Sequence, residues 1–529
     1  MDRPQPLWAG TSGSTLATDS ISFVSKELNQ SSDSASNATQ AHQVIRDDDS
    51  PAARRSFSLE GPNAVTWEGD SDPNHPRNFR GHIKCAIALT IGMMNLVVSL
   101  AVSLFTGFLP QLGQEYEYGA ERMQLCLTVY ILGLAFGPIF FGPASEYYGR
   151  KKPLLLGMLG FIVFTTYTTF ARDFGGVLFC RFLAGACGSA AYVIPPGIFV
   201  DLYGPVGRAI GYQLFATGAF IGGSLGPGIG FSVTAQGGWR WNMWLLIAVA
   251  APLTATLGVL PETLEVVLLQ RKSKRLCKET GDWTLRCARD ERPVRLHAYL
   301  LKPWQMLIRE PVLMVVTVAF TLDYGIQSLT YSEIPYAFRL RAWSTVDSSW
   351  ALVMTIPGFL LGCLATALDT KLRLAKQLSQ GSLVAPEERL PPMIVGMALL
   401  SLALVWFGQT SAQPHLPWAH LASAETTMGV GMFMVWCTAT VYVQDLYVSH
   451  SNSALAACAF VRYSSGAIFP LLAEPLRAVI GVSWAISSLG LMCAVLVPFH
   501  FVFYFCGKRI RSWSRYALHG SFRVGQRGL

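Results

Sequence analysis

The chain has 529 residues, 51% hydrophobic and 14% charged, with 41 Lys and Arg against 33 Asp and Glu and a net charge of +8. A soluble domain carries roughly 25% charged residues, and the mean hydropathy here is +0.36, so one or two large soluble domains are excluded. The 11 cysteines are scattered, mostly inside apolar runs, and Cys277 and Cys287 lack the close spacing of a metal site. No disulfide framework, metal or cofactor is therefore expected.

In chain order, residues 1–82 are rich in Ser, Asp, Asn and Gln, a composition that cannot offset the entropy of ordering, and are expected to form a disordered head. They hold no apolar segment of the kind a cleavable signal peptide needs. Apolar runs then recur near 84–108, 122–142, 154–171, 174–198, 209–233 and 241–261. A second set lies near 311–332, 348–368, 392–410, 420–444, 453–476 and 483–506. Each approaches the ~20 residues needed to cross a bilayer. Pro and Gly within them are compatible with membrane helices, whose neighbours re-satisfy freed backbone groups. The expected fold is an all-α membrane protein of twelve transmembrane helices in two six-helix halves, 83–261 and 311–506. A hydrophilic loop, 262–310, joins the halves, and a basic tail, 507–529, ends the chain.

Lys and Arg placement sets the orientation of such a bundle. With both ends in the cytoplasm, the inner segments from 143 onward hold 25 basic residues. The outer ones hold six: Arg122, Arg172, Arg240, Arg339, Arg341 and Arg477. Both termini are therefore expected in the cytoplasm, with the plasma membrane as the expected site. The sequons at Asn29 and Asn37 fall in the head and are chance matches under this topology. The run KRIRSWSR at 508–515 follows the last span. It is expected to meet anionic lipid headgroups rather than nucleic acid.

Two groups of six spans around a long central loop point to a secondary transporter built from repeated halves. Between the second and third spans stands GPASEYYGRK, residues 142–151. It resembles the signature G-x-L-[AS]-D-[RK]-x-G-R-[RK] of the major facilitator superfamily, and its G-P-x-S-E-x-x-G-R form resembles the fungal twelve-span drug:proton antiporters. Gly142 and Gly149 would let a tight turn approach the opposite half. Glu146 would accept hydrogen bonds from a facing helix N-terminus, and Arg150, beside Lys151, would pair with an acid across the inner gate. Tyr147 departs from the pattern, which places a basic residue after the acid.

In the fifth span Gly218, Gly222 and Gly226 recur every four residues, followed by Pro227 and Gly230. One face is thus free for close helix packing, and Pro227 interrupts the backbone ladder. The series resembles the antiporter signature of the same family, with Phe231 where a further glycine is usual. No strand precedes GPGIG, so it is not a nucleotide loop. Resemblance continues through DPNHPRN at 72–78, PETL at 261–264, Glu310-Pro311, Arg462-Tyr463-Ser464 and Phe469-Pro470-Leu471, covering about 73–515.

Charge inside a span is costly and therefore a functional candidate. Arg181, with Gly185, resembles the family's Arg-x-x-x-Gly element in proton coupling; its guanidinium keeps its own proton, so it would act on a nearby acid or on backbone carbonyls. Asp323 could load a proton or a cationic substrate, while Asp445 is placed for an inner latch. Arg462 could neutralise an acid or an anionic substrate, or serve packing. Glu333, at the outer end of the seventh span, ranks below Asp323. Tyr192, Phe215, Phe220, Tyr324 and Tyr331 are candidates for an apolar substrate wall.

The expectation is a proton-coupled exporter of drugs, toxins or a secondary metabolite, working as a monomer, with a small molecule, protons and the lipid bilayer as its partners. The alternatives are an exporter of polyamines or other organic cations, and an uptake symporter. No GxSxG, HExxH or P-loop is present, so neither an enzyme nor an ATP-driven pump is expected.

Overall fold

The computed structural model describes residues 65–67, 72–282, 296–374, 376, 385–447, 451–512 and 514. The expectations for 1–64, 283–295 and 515–529 lie outside these residues. In the first half the membrane-length helices are α1 (Gly81–Gly107), α2 (Ala120–Tyr148), α3 (Lys151–Phe170), α4 (Phe174–Leu202), α5 (Pro205–Gly237) and α6 (Arg240–Val259). In the second they are α7 (Pro311–Arg339), α8 (Thr345–Arg373), α9 (Pro386–Ser411) and α10 (Trp418–Leu446), followed by Ser451–Arg511. That last stretch of 61 residues breaks at Gly481 into α11 and α12. Gly481 has φ 79°, a conformation that glycine adopts without a Cβ clash.

The outer surface is apolar, unlike that of a water-soluble bundle, and some charge lies within. Phe140, Leu156, Val259 and Phe505 lie exposed on the outside, whereas Asn95, Arg181 and Glu425 are buried. Lipid is as apolar as these outward side chains, so helix association rests on close packing and polar contacts rather than on apolar burial. The glycines of α5 supply that packing against α1. A side chain at Gly218 would strike the Gly92 carbonyl, one at Gly222 the Leu96 carbonyl, one at Gly226 Ser103 and one at Gly230 the Leu104 carbonyl. The ladder continues past Pro227, and α5 runs unbroken for 33 residues. Asn95 Nδ2 donates to the Phe215 carbonyl at 3.0 Å and Ser99 Oγ to the Ala219 carbonyl at 2.5 Å, pinning the two helices together.

Two segments are more ordered than the sequence implies. Helices Glu265–Thr280 and Leu296–Arg309 occupy much of the hydrophilic loop. The first buries Val267, Leu269, Ser273 and Cys277, so it is amphipathic rather than simply hydrophilic. The end of the head docks on this helix. Trp67 Nε1 donates to Glu265 at 2.7 Å, and Lys272 pairs with Asp72 at 3.3 Å. These contacts join positions about 200 apart in the chain, which local composition cannot reveal.

Gly222→Leu is expected to destabilise the protein by about 1–3 kcal/mol or more through overpacking against α1. A detergent melting curve would read this as a lowered Tm. Gly258→Leu serves as the control, since nothing lies within 4 Å of the added carbon; equal melting of the two variants would remove the glycine seam from the account.

Candidate functional site

A cavity of about 1230 Å³, counting the part open to solvent, lies between the halves. Its walls come from α1, α2, α4 and α5 on one side and α10 and α11 on the other, with Pro303 and Trp304 from the helix before α7. Ser453, near the start of α11, and Glu146, near the end of α2, lie at the face of the bundle that carries the central loop. The opposite face is closed. Thr128 donates to the Ala467 carbonyl at 3.1 Å, Trp350 Nε1 to Ser232 Oγ at 3.0 Å, and Ser224 and Thr355 share a 2.7 Å hydrogen bond.

Of the five aromatic candidates, Tyr192 and Phe215 line the cavity. Phe220 packs instead between the halves against Phe359, Phe433 and Trp436. Tyr324 packs against Tyr463 and Trp436, and Tyr331 presses its hydroxyl against Gly223. Trp436, Tyr463, Asn95 and Thr440 also line the cavity, and the sequence reading did not name them for it. Asn95 alone carried a signal, as an amide within an apolar run; ring direction around a helix is not legible from spacing in a segment apolar on all sides.

The basic turn after α2 is held from within its own half. Arg150 Nε donates to Asp201 at 3.0 Å and Nη1 to Ser145 Oγ at 3.2 Å, whereas an acid across the inner gate was expected. Glu262 caps the start of α3, accepting from the backbone N–H of Arg150 at 2.8 Å and of Lys151 at 3.2 Å. It also accepts from Thr263 N and Leu264 N; Glu146 lines the cavity. Gly149, at φ 97°, leaves room for this carboxylate. Lys151 Nζ donates to the Gly258 carbonyl at 2.7 Å, and Gly142 lies on the cavity wall.

Arg181 is 2% exposed. It donates to the carbonyls of Ala101 at 3.1 Å and Cys126 at 3.4 Å, and lies 3.7 Å and 4.0 Å from the ring centroids of Phe105 and Tyr130. No carboxylate pairs with it among the described residues. Those contacts tie α4 to α1 and α2, which is the backbone alternative of the sequence reading.

Three of the candidate charges sit in the second half. Asp323 is 1% exposed, with both oxygens lacking a hydrogen-bond partner, and it does not belong to the cavity wall. Asp445 bridges Arg208 of α5 at 2.8 Å and Arg389 at 2.9 Å, so one carboxylate ties the two halves near the central-loop face. Arg462 lines the cavity.

The descriptive family model "Major Facilitator Superfamily" matches residues 91–470. The chain is 38% identical over 479 residues to the citrinin biosynthesis cluster MFS transporter mrr1 of Monascus ruber, covering 88% of this chain and 95% of that one. It is 29% identical over 466 residues to the major facilitator superfamily multidrug transporter FLU1 of Candida albicans, covering 86% and 76%. Among solved structures, a D-xylose-proton symporter superposes with a TM-score of 0.56 at 15% identity, covering 79% of this chain and 97% of that one; at that identity the likeness bears on fold alone. With the family model spanning most of the helical region and two six-helix halves enclosing one central cavity, the chain belongs to the major facilitator superfamily.

Proposed function

We propose that this protein is a proton-coupled exporter of small organic molecules, with a secondary metabolite as its natural cargo, acting as a monomer in the plasma membrane with both termini in the cytoplasm. The observation that carries this reading is the cavity: closed at the far face and reaching toward the face that bears most of the Lys and Arg. By the distribution of positive charge that face is cytoplasmic, so the cavity is where an exporter would load. Relatives named for metabolite clusters support the cargo class.

Asp323 and Glu425 are both carboxylates at membrane depth with neither ion pair nor hydrogen bond among the described residues. Asp323 is the one we assign to the coupled proton, since its neighbour Tyr324 packs on the cavity-lining Trp436 and Tyr463. Asp445, holding Arg208 across the interface, is the inner latch; it must exchange partners for the halves to rock about the cavity. A polyamine exporter would need an acidic wall, but Glu146 is the one carboxylate lining this cavity among the described residues.

In inside-out vesicles with an imposed pH gradient, the protein is expected to drive a labelled aromatic metabolite into the lumen, and a protonophore to abolish that accumulation. Transport persisting after the gradient is collapsed, or net uptake into intact cells, would overturn the reading. Asp323→Asn is expected to retain expression and lose gradient-driven accumulation at least tenfold; wild-type transport would remove Asp323 from coupling. Asp445→Asn leaves buried Arg389 and half-buried Arg208 short of a partner and is expected to cost about 3 kcal/mol of stability, together with a several-fold slower export rate. Unchanged melting and rate would show that no latch exists there.

A further inference from the structure

The cavity wall holds one buried cation that no carboxylate neutralises by direct contact. Arg462, 8% exposed, has no ion pair among the described residues, and its Nε has no hydrogen-bond partner. It is caged by rings. Its guanidinium carbon lies 3.9 Å from the Trp436 centroid, 4.5 Å from Tyr463, 5.6 Å from Phe320 and 5.7 Å from Tyr324. Ring faces offset part of the cost of burying this charge but accept no N–H in its plane. A guanidinium has five such donors in a fork that matches a carboxylate.

The surroundings extend that match. Tyr192, Phe215, Trp436 and Tyr463 line the same cavity as Arg462 and offer faces to a flat unsaturated ring. The carboxylate of the wall, Glu146, belongs to the central-loop end of α2. Arg462 lies eleven residues into its helix, a rise of ~16 Å, so the two are separated in depth. A cation entering the cavity would meet Arg462 as a like charge. An aromatic acid would bring the missing counter-charge, and its rings would displace water from an apolar wall.

We infer that Arg462 and its ring cage are the recognition site for the carboxylate or phenolate of an aromatic organic anion, which makes anions the preferred cargo of the cavity. This deepens the export reading and rests on it for direction of transport, but not for binding. The Asp323 carboxylate acts on Arg462 through space but does not bond to it, so the orphaned donor stays open, and such a ligand would satisfy it.

The test uses the full chain in lipid nanodiscs at neutral pH and three probes of one shape: 1-naphthoate, neutral 1-naphthamide and cationic 1-naphthylmethylammonium. Binding is followed by quenching of tryptophan fluorescence, since Trp436 and Trp304 line the cavity. Naphthoate is expected to bind at least about tenfold more tightly than the amide, as a charge-assisted hydrogen bond exceeds a neutral one. The ammonium probe is expected to bind weakest. Arg462→Gln should bring naphthoate to the level of the amide without weakening the amide, and Arg462→Lys should keep part of the preference. Equal binding of acid and amide by the unaltered protein, a preference for the ammonium, or an anion preference that survives Arg462→Gln would each overturn the proposal. If the Gln variant does not fold, the order of the three probes on the unaltered protein decides. Tight naphthoate binding with net uptake into intact cells would sink the export reading and leave the anion site standing; export with no anion preference would do the reverse.

Discussion

Where α5 lies on α1, backbone meets backbone, and four glycines make that possible. In water such a seam would be one contribution among many. In lipid, leucine gains nothing by leaving one apolar surface for another, so close approach and hydrogen bonds carry the association. The seam places α5 so that its remaining surface serves the other half and the cavity. Phe215 lines the wall, Ser224 meets Thr355, and Arg208 reaches Asp445. A shift of α5 against α1 would therefore disturb the wall, the closed face and the latch together.

Buried charge obeys the same economy. Glu262 accepts four backbone N–H groups and Arg181 donates to two carbonyls between two rings. Asp445 has two arginines. Each is compensated by its own surroundings and holds helices in place. Asp323, Glu425 and Arg462 are not compensated in that way, and of the three Arg462 lines the cavity. That contrast, together with a place on or beside the cavity, distinguishes the charge proposed for transport from the charge that holds helices in place.

The relation between the two halves follows from which contacts cross between them. At the far face α2 meets α11 and α5 meets α8, leaving no passage there along those seams. At the central-loop face the α5–α10 side is tied by Asp445, while Glu146 and Ser453 border the cavity. One side of the interface is thus tied by an ion pair while the other opens onto the cavity, which is the arrangement the proposed rocking about a central site would use.

By itself the sequence determined the spans, their division into two groups and the seam of glycines, because lipid requires long apolar helices and a four-residue repeat lies along one face of any helix. Asp445 and Arg462 were legible as charges at membrane depth for the same reason. Tertiary structure alone decided their partners. Arg150 turned to Asp201 of its own half, Glu262 capped the helix that follows the basic turn, and Arg181 found carbonyls rather than a carboxylate. It also decided that Tyr192 and Phe215 face the cavity while Phe220, Tyr324 and Tyr331 pack elsewhere. A helix that is apolar on every side carries no mark of which face meets lipid, protein or water; that is set when neighbouring helices take their places around it.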